Sequence, residues 1–257
     1  MNYDVFIKAH ESDYSKLKFC INSLKHLNPA PKNIYVVSPT GTKPVGTDFD
    51  DLIISVKDDD VTPTISKSKI GYRPNWSWSS LITLFQDITE NDLYLEVQAD
   101  SFFIKDIQLF ENEKPIIYTT RVNPNNNGAW GPYFNFSNSI FDIDKKTFGR
   151  SFITEFLMFN KKHTKVLQEK YPSFEDMMDR VYDSISSDCY SSNQEIFGNL
   201  IERDFSEDYV FSHDTPLILE GRESLEPVSE EFLISFIERC KETNAVSCSY
   251  HAWSNEK

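Results

Sequence analysis

The chain has 257 residues, enough for one large α/β domain or two small ones, and its 20 Phe and 12 Tyr within a hydrophobic fraction of 39% exclude a disordered chain. Its 40 acidic against 26 basic residues give a formal net charge of -14, which opposes nonspecific attraction to a nucleic-acid backbone or an anionic membrane. A phosphorylated small molecule stays admissible if a metal ion or a few local cations meet its charge.

Cys20, Cys189, Cys240 and Cys248 form no C-x-x-C pair and have no His at finger spacing, so neither a zinc module nor a redox motif is expected. Asp4 and Lys8 leave no room for the apolar core of a signal peptide, and no apolar run approaches membrane-spanning length. A soluble, cytoplasmic protein with reduced thiols is the expectation.

"YDVFIKAH" suits a first buried strand, and Tyr14, Leu17, Ile21, Leu24 and Leu27 then repeat at helical spacing. "NIYVVSP" reads as a second strand stopped by proline, and "DLIISVKDDD" as a third that ends in three carboxylates. This order, strand, helix, strand, predicts an α/β fold with a mostly parallel sheet flanked by helices. "NWSWSSLITLFQDI" presents Trp78, Leu81, Ile82, Phe85 and Ile88 on one helical face and leads into a fourth strand, "DLYLEV".

Asp100 stands where that fourth strand ends. An aspartate at such a place caps its own turn or, at the carboxyl end of a parallel strand, faces a ligand. "PIIYTT" predicts another strand, "RVNPNNNGAWGPYFNFSNS" a long exposed loop, and "SFITEFLMFNKKH" a further strand. Three amphipathic helices follow in "SFEDMMDRVYDSI", "NQEIFGNLIERDF" and "SEEFLISFIERC". No Pro/Gly/Ser-rich linker divides the chain, so residues 1–257 are read as one domain, with a nucleotide-binding part to about residue 120 and a more helical acceptor-binding part beyond it.

Several of these segments together resemble GT-A-type glycosyltransferases. "QAD" followed by "SFFIKDI" is similar to their D-x-D element. "FITEFLMFNKK", "SNQEIFGNLI" and "YDVFIKAHESDYSKLKFCINSL" are similar to motifs of small bacterial and viral transferases, over a span from Tyr3 to about His213. The resemblance implies a nucleoside diphosphate sugar as donor, a glycan or small-molecule acceptor, and Mn²⁺ or Mg²⁺ against the diphosphate. Asp100 matches the second Asp of the motif, the direct metal ligand. Gln98 departs from the first; it can hydrogen-bond a ribose hydroxyl but adds no charge to a metal.

A further ligand is expected from a C-terminal histidine. His213 in "YVFSHDT" is the candidate, with Asp214 beside it as an alternative and a solvent-facing strand end as the bland reading. For a general base, Glu155 comes first because apolar Ile153, Phe156 and Leu157 flank it, though strand alternation also permits an outward-facing residue. Glu195 is second, and Ser192 three residues earlier offers it a purely structural role in a capping box.

Asp58 or Asp60 could contact the nucleoside, although adjacent like charges favour a solvated turn. Lys69 and Arg73 could reach the diphosphate or simply solubilise their loop. Trp130 could stack on a sugar or pin its own loop. Two other functions fit the same chain: a non-catalytic nucleotide- or glycan-binding relative, and a metal-dependent hydrolase.

Overall fold

A computed structural model describes residues 1–10, 13–62, 64–121, 127–144, 149–213, 215–222 and 228–252. The main sheet contains β1 (Asp4–Lys8), β2 (Ile34–Ser38), β3 (Ile53–Lys57), β4 (Leu93–Gln98) and a strand from the second half, Phe156–Asn160. That last strand pairs antiparallel with β4; every other pairing is parallel, and β1 lies between β2 and β4 with β3 on the outer edge. The mixed, mostly parallel sheet agrees with the expectation from the sequence.

Burial explains the order. Both faces of β1 and β2 are covered, so their sequences DVFIK and IYVVS run nearly unbroken in apolar residues. Edge strand β3 exposes Ile54, as one free side permits. Helix α1 (Tyr14–Ser23) turns Leu17, Cys20 and Ile21 inward, and α2 (Asp58–Val61) is a single turn after β3. Helix α3 (Pro74–Phe85) begins with proline, whose missing N–H costs nothing at a helix start, and buries Leu81, Ile82, Leu84 and Phe85.

Because successive strands run outward from β1 to β2 and β3 on one side, and the chain then returns to β4 on the other, the topology switches between β1 and β4. Their carboxyl ends flank the crevice where open α/β sheets bind ligands. Beyond β4 the chain turns at Ala99 and Asp100 into β5 (Ser101–Phe103), which belongs to a second, smaller sheet. Strand β6 (Lys114–Tyr118) follows.

The expected loop after residue 121 is instead largely helix: α4 spans Asn127–Phe141 and contains Pro132. Tyr133, Phe136, Ile140 and Phe141 recur at helical spacing and are buried, and this packing outweighs the Asn- and Gly-rich composition. The strand expected over "SFITEFLMFNKKH" is shorter than its apolar run. Its main-sheet part forms from Phe156 to Asn160, as β7, because Glu155 adopts a left-handed backbone (φ 66°), while Ser151 belongs to a separate two-residue strand, Arg150–Ser151; Asn160 then caps α5 (Lys161–Gln168).

Helices α6 (Phe174–Ser184), α7 (Asn193–Asp204) and α8 (Glu230–Lys241) start at Ser173, Ser192 and Ser229, each of which accepts a hydrogen bond from a first-turn backbone N–H. The short strand β8 (Val210–Ser212) pairs with β6. The small sheet is completed by β9 (Leu217–Arg222) and β10 (Ser247–Ala252), with β10 between β9 and β5. No helix among the described residues is long and apolar enough to cross a membrane.

Helix α7 packs so closely on the segment before β7 that a Cβ at Gly198 would stand 2.0 Å from the Phe152 ring. Gly198→Ala is expected to force helix and ring apart and to cost about 1–3 kcal/mol, the usual range for an overpacked core. Thermal or urea unfolding measures it, and an unchanged melting temperature would contradict this packing.

Candidate active site at the strand ends

Asp100 is 8% exposed and follows Ala99 just past the end of β4 at Gln98. The small sheet brings its partner from the far end of the chain. Strand β10 runs antiparallel to β5 with Ser249 opposite Ser101, and the Tyr250 N–H donates to the Asp100 carbonyl at 3.0 Å. The next residue, His251, thereby sets Nδ1 2.9 Å from Asp100 Oδ2 and Nε2 3.4 Å from Glu155 Oε2. One ligand atom from each of Asp100, Glu155 and His251 lies within 4.8 Å of the others.

Lys16 reaches the same place from α1. Its ammonium, on a side chain 1% exposed, pairs with Asp13 at 2.9 Å and Asp100 at 3.5 Å, and donates to the Tyr250 carbonyl at 3.1 Å. Burial alone would raise the pKa of Asp100, but His251 and Lys16 outweigh it and hold the carboxyl below its ordinary value. Burial likewise opposes charge on His251, yet Asp100 and then Glu155 push its pKa up to about 10.

A second polar group lies on the opposite flank of β4. Glu96, 1% exposed, accepts from Lys8 Nζ (2.6 Å) and Thr83 Oγ1 (3.2 Å) with one oxygen, and from Asn193 Nδ2 (2.5 Å) and Gln194 Nε2 (3.1 Å) with the other. The N-terminus of α7 is thus tied to the centre of the sheet. Gln194 Oε1 also accepts from the Thr154 N–H at 3.1 Å. Glu195 Oε1 accepts from the Ser151 hydroxyl at 2.6 Å and the Phe152 N–H at 3.1 Å, while Asn199 donates to Oε2 at 3.0 Å. Helix α7 therefore clamps the segment that carries Glu155.

Of the residues singled out in the sequence, the structure brings Asp100 and Glu155 together with Gln98, whose N–H donates to the Glu155 carbonyl at 3.0 Å. His213 lies elsewhere: it is exposed after β8, with Nδ1 3.1 Å from Thr119 Oγ1 and Nε2 accepting from Arg150 at 3.0 Å. The histidine beside Asp100 is His251, because β10 pairs with β5 whereas β8 pairs with β6. Glu195 is fully buried and engaged in the clamp, with Ser192 capping its N–H.

Asp58 and Asp60 sit in α2 beyond β3, Asp60 exposed and Asp58 half-buried. Lys69 is exposed, over the Tyr182 ring and 3.9 Å from Asp179. Arg73, left-handed at φ 44° before α3, holds its guanidinium 5.0 Å from the Trp76 ring centre and 5.2 Å from that of Tyr190. The Trp130 side chain and Asp214 lie outside the described residues. A cleft of 420 Å³ opens at the end of β2, lined among others by Tyr14, Lys18, Ser38, Lys43 and Val45. Another, of 570 Å³ around Asn135, Asn138 and Asp188, shares no residue with the Asp100 group.

No protein-family model and no curated protein sequence matches the chain. Solved structures do overlay on it at low identity. The WbbM bifunctional glycosyltransferase matches at 13% identity and TM-score 0.48, over 98% of this chain and 46% of that one, so this chain spans about half its length. The galactosyltransferase LgtC, in complex with donor and acceptor sugar analogues, matches at 11% identity and TM-score 0.47, over 96% of this chain and 86% of that one. Mouse xyloside xylosyltransferase 1 matches at 12% and 0.48, over 100% and 99%. Overlays at this level follow the course of the backbone and transfer no residue roles.

Proposed function

We propose that this chain transfers a sugar from a nucleoside diphosphate donor to a hydroxyl of a glycan or small acceptor, with a divalent cation at the strand ends. The observation that carries the reading is the Asp100, Glu155 and His251 group at the switch between β1 and β4. Its donor set fits Mn²⁺ or Mg²⁺: carboxylate oxygens are hard ligands and imidazole suits Mn²⁺. Glu155 Oε2 is buried without a hydrogen bond and meets His251 Nε2 only at the longer ion-pair distance of 3.4 Å, which leaves it open to a cation. Held there, the cation supplies charge stabilisation for the nucleoside diphosphate as the sugar–phosphate bond breaks.

The chain's own residues do the rest in this reading. Arg73, its guanidinium already held near the Trp76 and Tyr190 rings, offers a fork of donors to the diphosphate oxygens at little entropic cost. Gln98 offers its amide to a ribose hydroxyl, and the cleft at the end of β2 lodges the nucleoside. Lys69 is a second candidate for the diphosphate, the carboxylates of α2, which follow the end of β3, are candidates for the nucleoside, and Trp130 is the proposed sugar platform. Glu195 is assigned no proton transfer, since its oxygens hold the Glu155 segment.

Calorimetric titration of UDP and GDP, with and without Mn²⁺, tests the reading. One nucleotide is expected to bind only with Mn²⁺, and Asp100→Asn to weaken that binding at least about tenfold, with Mn²⁺-dependent turnover of the matching donor sugar lost in parallel. Nucleotide binding that ignores both Mn²⁺ and Asp100→Asn would instead identify a binding module without this chemistry.

The raised pKa of His251 predicts a pH dependence. With its pKa moved from 6.5 to about 10 by folding, the charged imidazole stabilises the cation-free protein fully below pH 6.5, and that contribution disappears as pH rises to about 10. In chelator, the melting temperature of wild type should therefore fall from pH 6.5 to pH 9 more steeply than that of His251→Gln. The variant isolates the imidazole from the buried Cys20 and Cys248 thiols, whose pKa burial raises. Parallel curves for the two proteins would contradict the pairing.

A further inference from the structure

We propose that Glu155 is a cation ligand that supplies, from the adjacent strand, the negative charge that position 98 lacks; this rests on the reading that the Asp100 group binds a divalent cation. Strands β4 and β7 run antiparallel with Val97 opposite Phe156. One step further, Gln98 faces Glu155 across the ladder, joined by the bond from the Gln98 N–H to the Glu155 carbonyl at 3.0 Å. Two positions thus stand side by side at the strand ends, one carrying a neutral amide and the other a carboxylate.

The backbone at Glu155 is costly to maintain. A left-handed φ of 66° is unfavourable for any residue with a Cβ, and the side chain is only 4% exposed. The surroundings enforce that conformation: Gln194 holds the Thr154 N–H, Glu195 holds Ser151 and Phe152, and the Thr154 hydroxyl donates to the Phe156 carbonyl at 2.5 Å. Without the left-handed turn, Glu155 would continue the alternation of β7. With it, the carboxylate enters the group, its Oε2 3.4 Å from His251 Nε2 and making no hydrogen bond.

Buried carboxylates with a structural task look different in this same molecule. Glu96 and Glu195 have donors on both oxygens at 3.2 Å or less. Glu155 Oε2 has none, which is what a cation ligand requires. Gln194 and Glu195 are then positioning residues, acting through the Glu155 backbone. The carboxylate should also be exchangeable between the two strands: a charge at 98 can stand in for the one at 155.

The experiment titrates Mn²⁺ alone, by calorimetry and by manganese electron paramagnetic resonance, into wild type, Glu155→Gln, the double variant Gln98→Asp/Glu155→Gln, and Glu155→Gly. Glu155→Gln is expected to weaken Mn²⁺ binding by more than about a hundredfold, beyond the roughly 10–100-fold that a residue outside the coordination shell commonly costs. The double variant should recover most of that loss. Glu155→Gly should lose Mn²⁺, and when added to cation-free His251→Gln, where the imidazole pairing is already absent, it should lower the melting temperature no further, because glycine tolerates the left-handed turn.

Wild-type affinity retained in Glu155→Gln overturns the assignment. So does a folded double variant that binds no better than Glu155→Gln, or a melting temperature that falls further when Glu155→Gly is added to cation-free His251→Gln, which would make the side chain a brace for the fold. Wild type that binds no Mn²⁺ overturns the cation reading itself and this assignment with it, a result distinct from the other three.

Discussion

A carboxylate withdrawn from water must be met by donors or by positive charge, and the end of the β4–β7 pair is organised around four that are almost wholly buried: Glu96, Asp100, Glu155 and Glu195. Each is satisfied differently. Glu96 takes an ammonium, a hydroxyl and two side-chain amides; Glu195 takes a hydroxyl, a backbone N–H and an amide. Those two fasten α7 to the sheet and to the segment before β7. Asp100 relies on charge, from Lys16 and His251, and Glu155 on His251 at ion-pair distance only. The gradient from fully bonded to barely paired runs from scaffold to site.

The scaffold was legible because its signals are local. Strands buried on both faces read as unbroken apolar runs, α1, α3, α6, α7 and α8 carry one apolar stripe each, and Asp100 announces itself where such a run stops. Helix α4 left a trace in Tyr133, Phe136, Ile140 and Phe141, hidden by surrounding Asn, Gly and Pro that outside a packed core would favour a loop. The premature start expected for β7 has the same kind of cause: an apolar run gives no sign of a left-handed residue within it.

The site itself depends on pairings that no local pattern encodes. His251 lies in "SCSYHA", a segment of small polar residues whose strand character comes from β9 and β5 on either side. Its one local trace is alternation, with Cys248 and Tyr250 packed in the core between serines. His213 ends a more convincing apolar run, but its strand adds to β6, and the histidine is left with Thr119 and Arg150. Which histidine meets Asp100 is decided by strand order, 151 residues away in sequence.

Charge balance around Lys16 explains how an acidic protein can suit a phosphorylated ligand. Lys16 pairs with Asp13 and Asp100, and Glu155 joins Asp100 at His251, so with a neutral imidazole these groups sum to two net negative charges, the complement of one divalent ion. Lys16 and His251 both meet Asp100 at Oδ2, which leaves Oδ1 outside these two contacts. The same economy governs the other cations near the crevice: Lys8 is spent on Glu96, while Arg73 is held by ring faces that constrain its position without neutralising it. Of these three cations, Lys8, Lys16 and Arg73, the arginine is therefore the one whose described contacts are ring faces and not carboxylates.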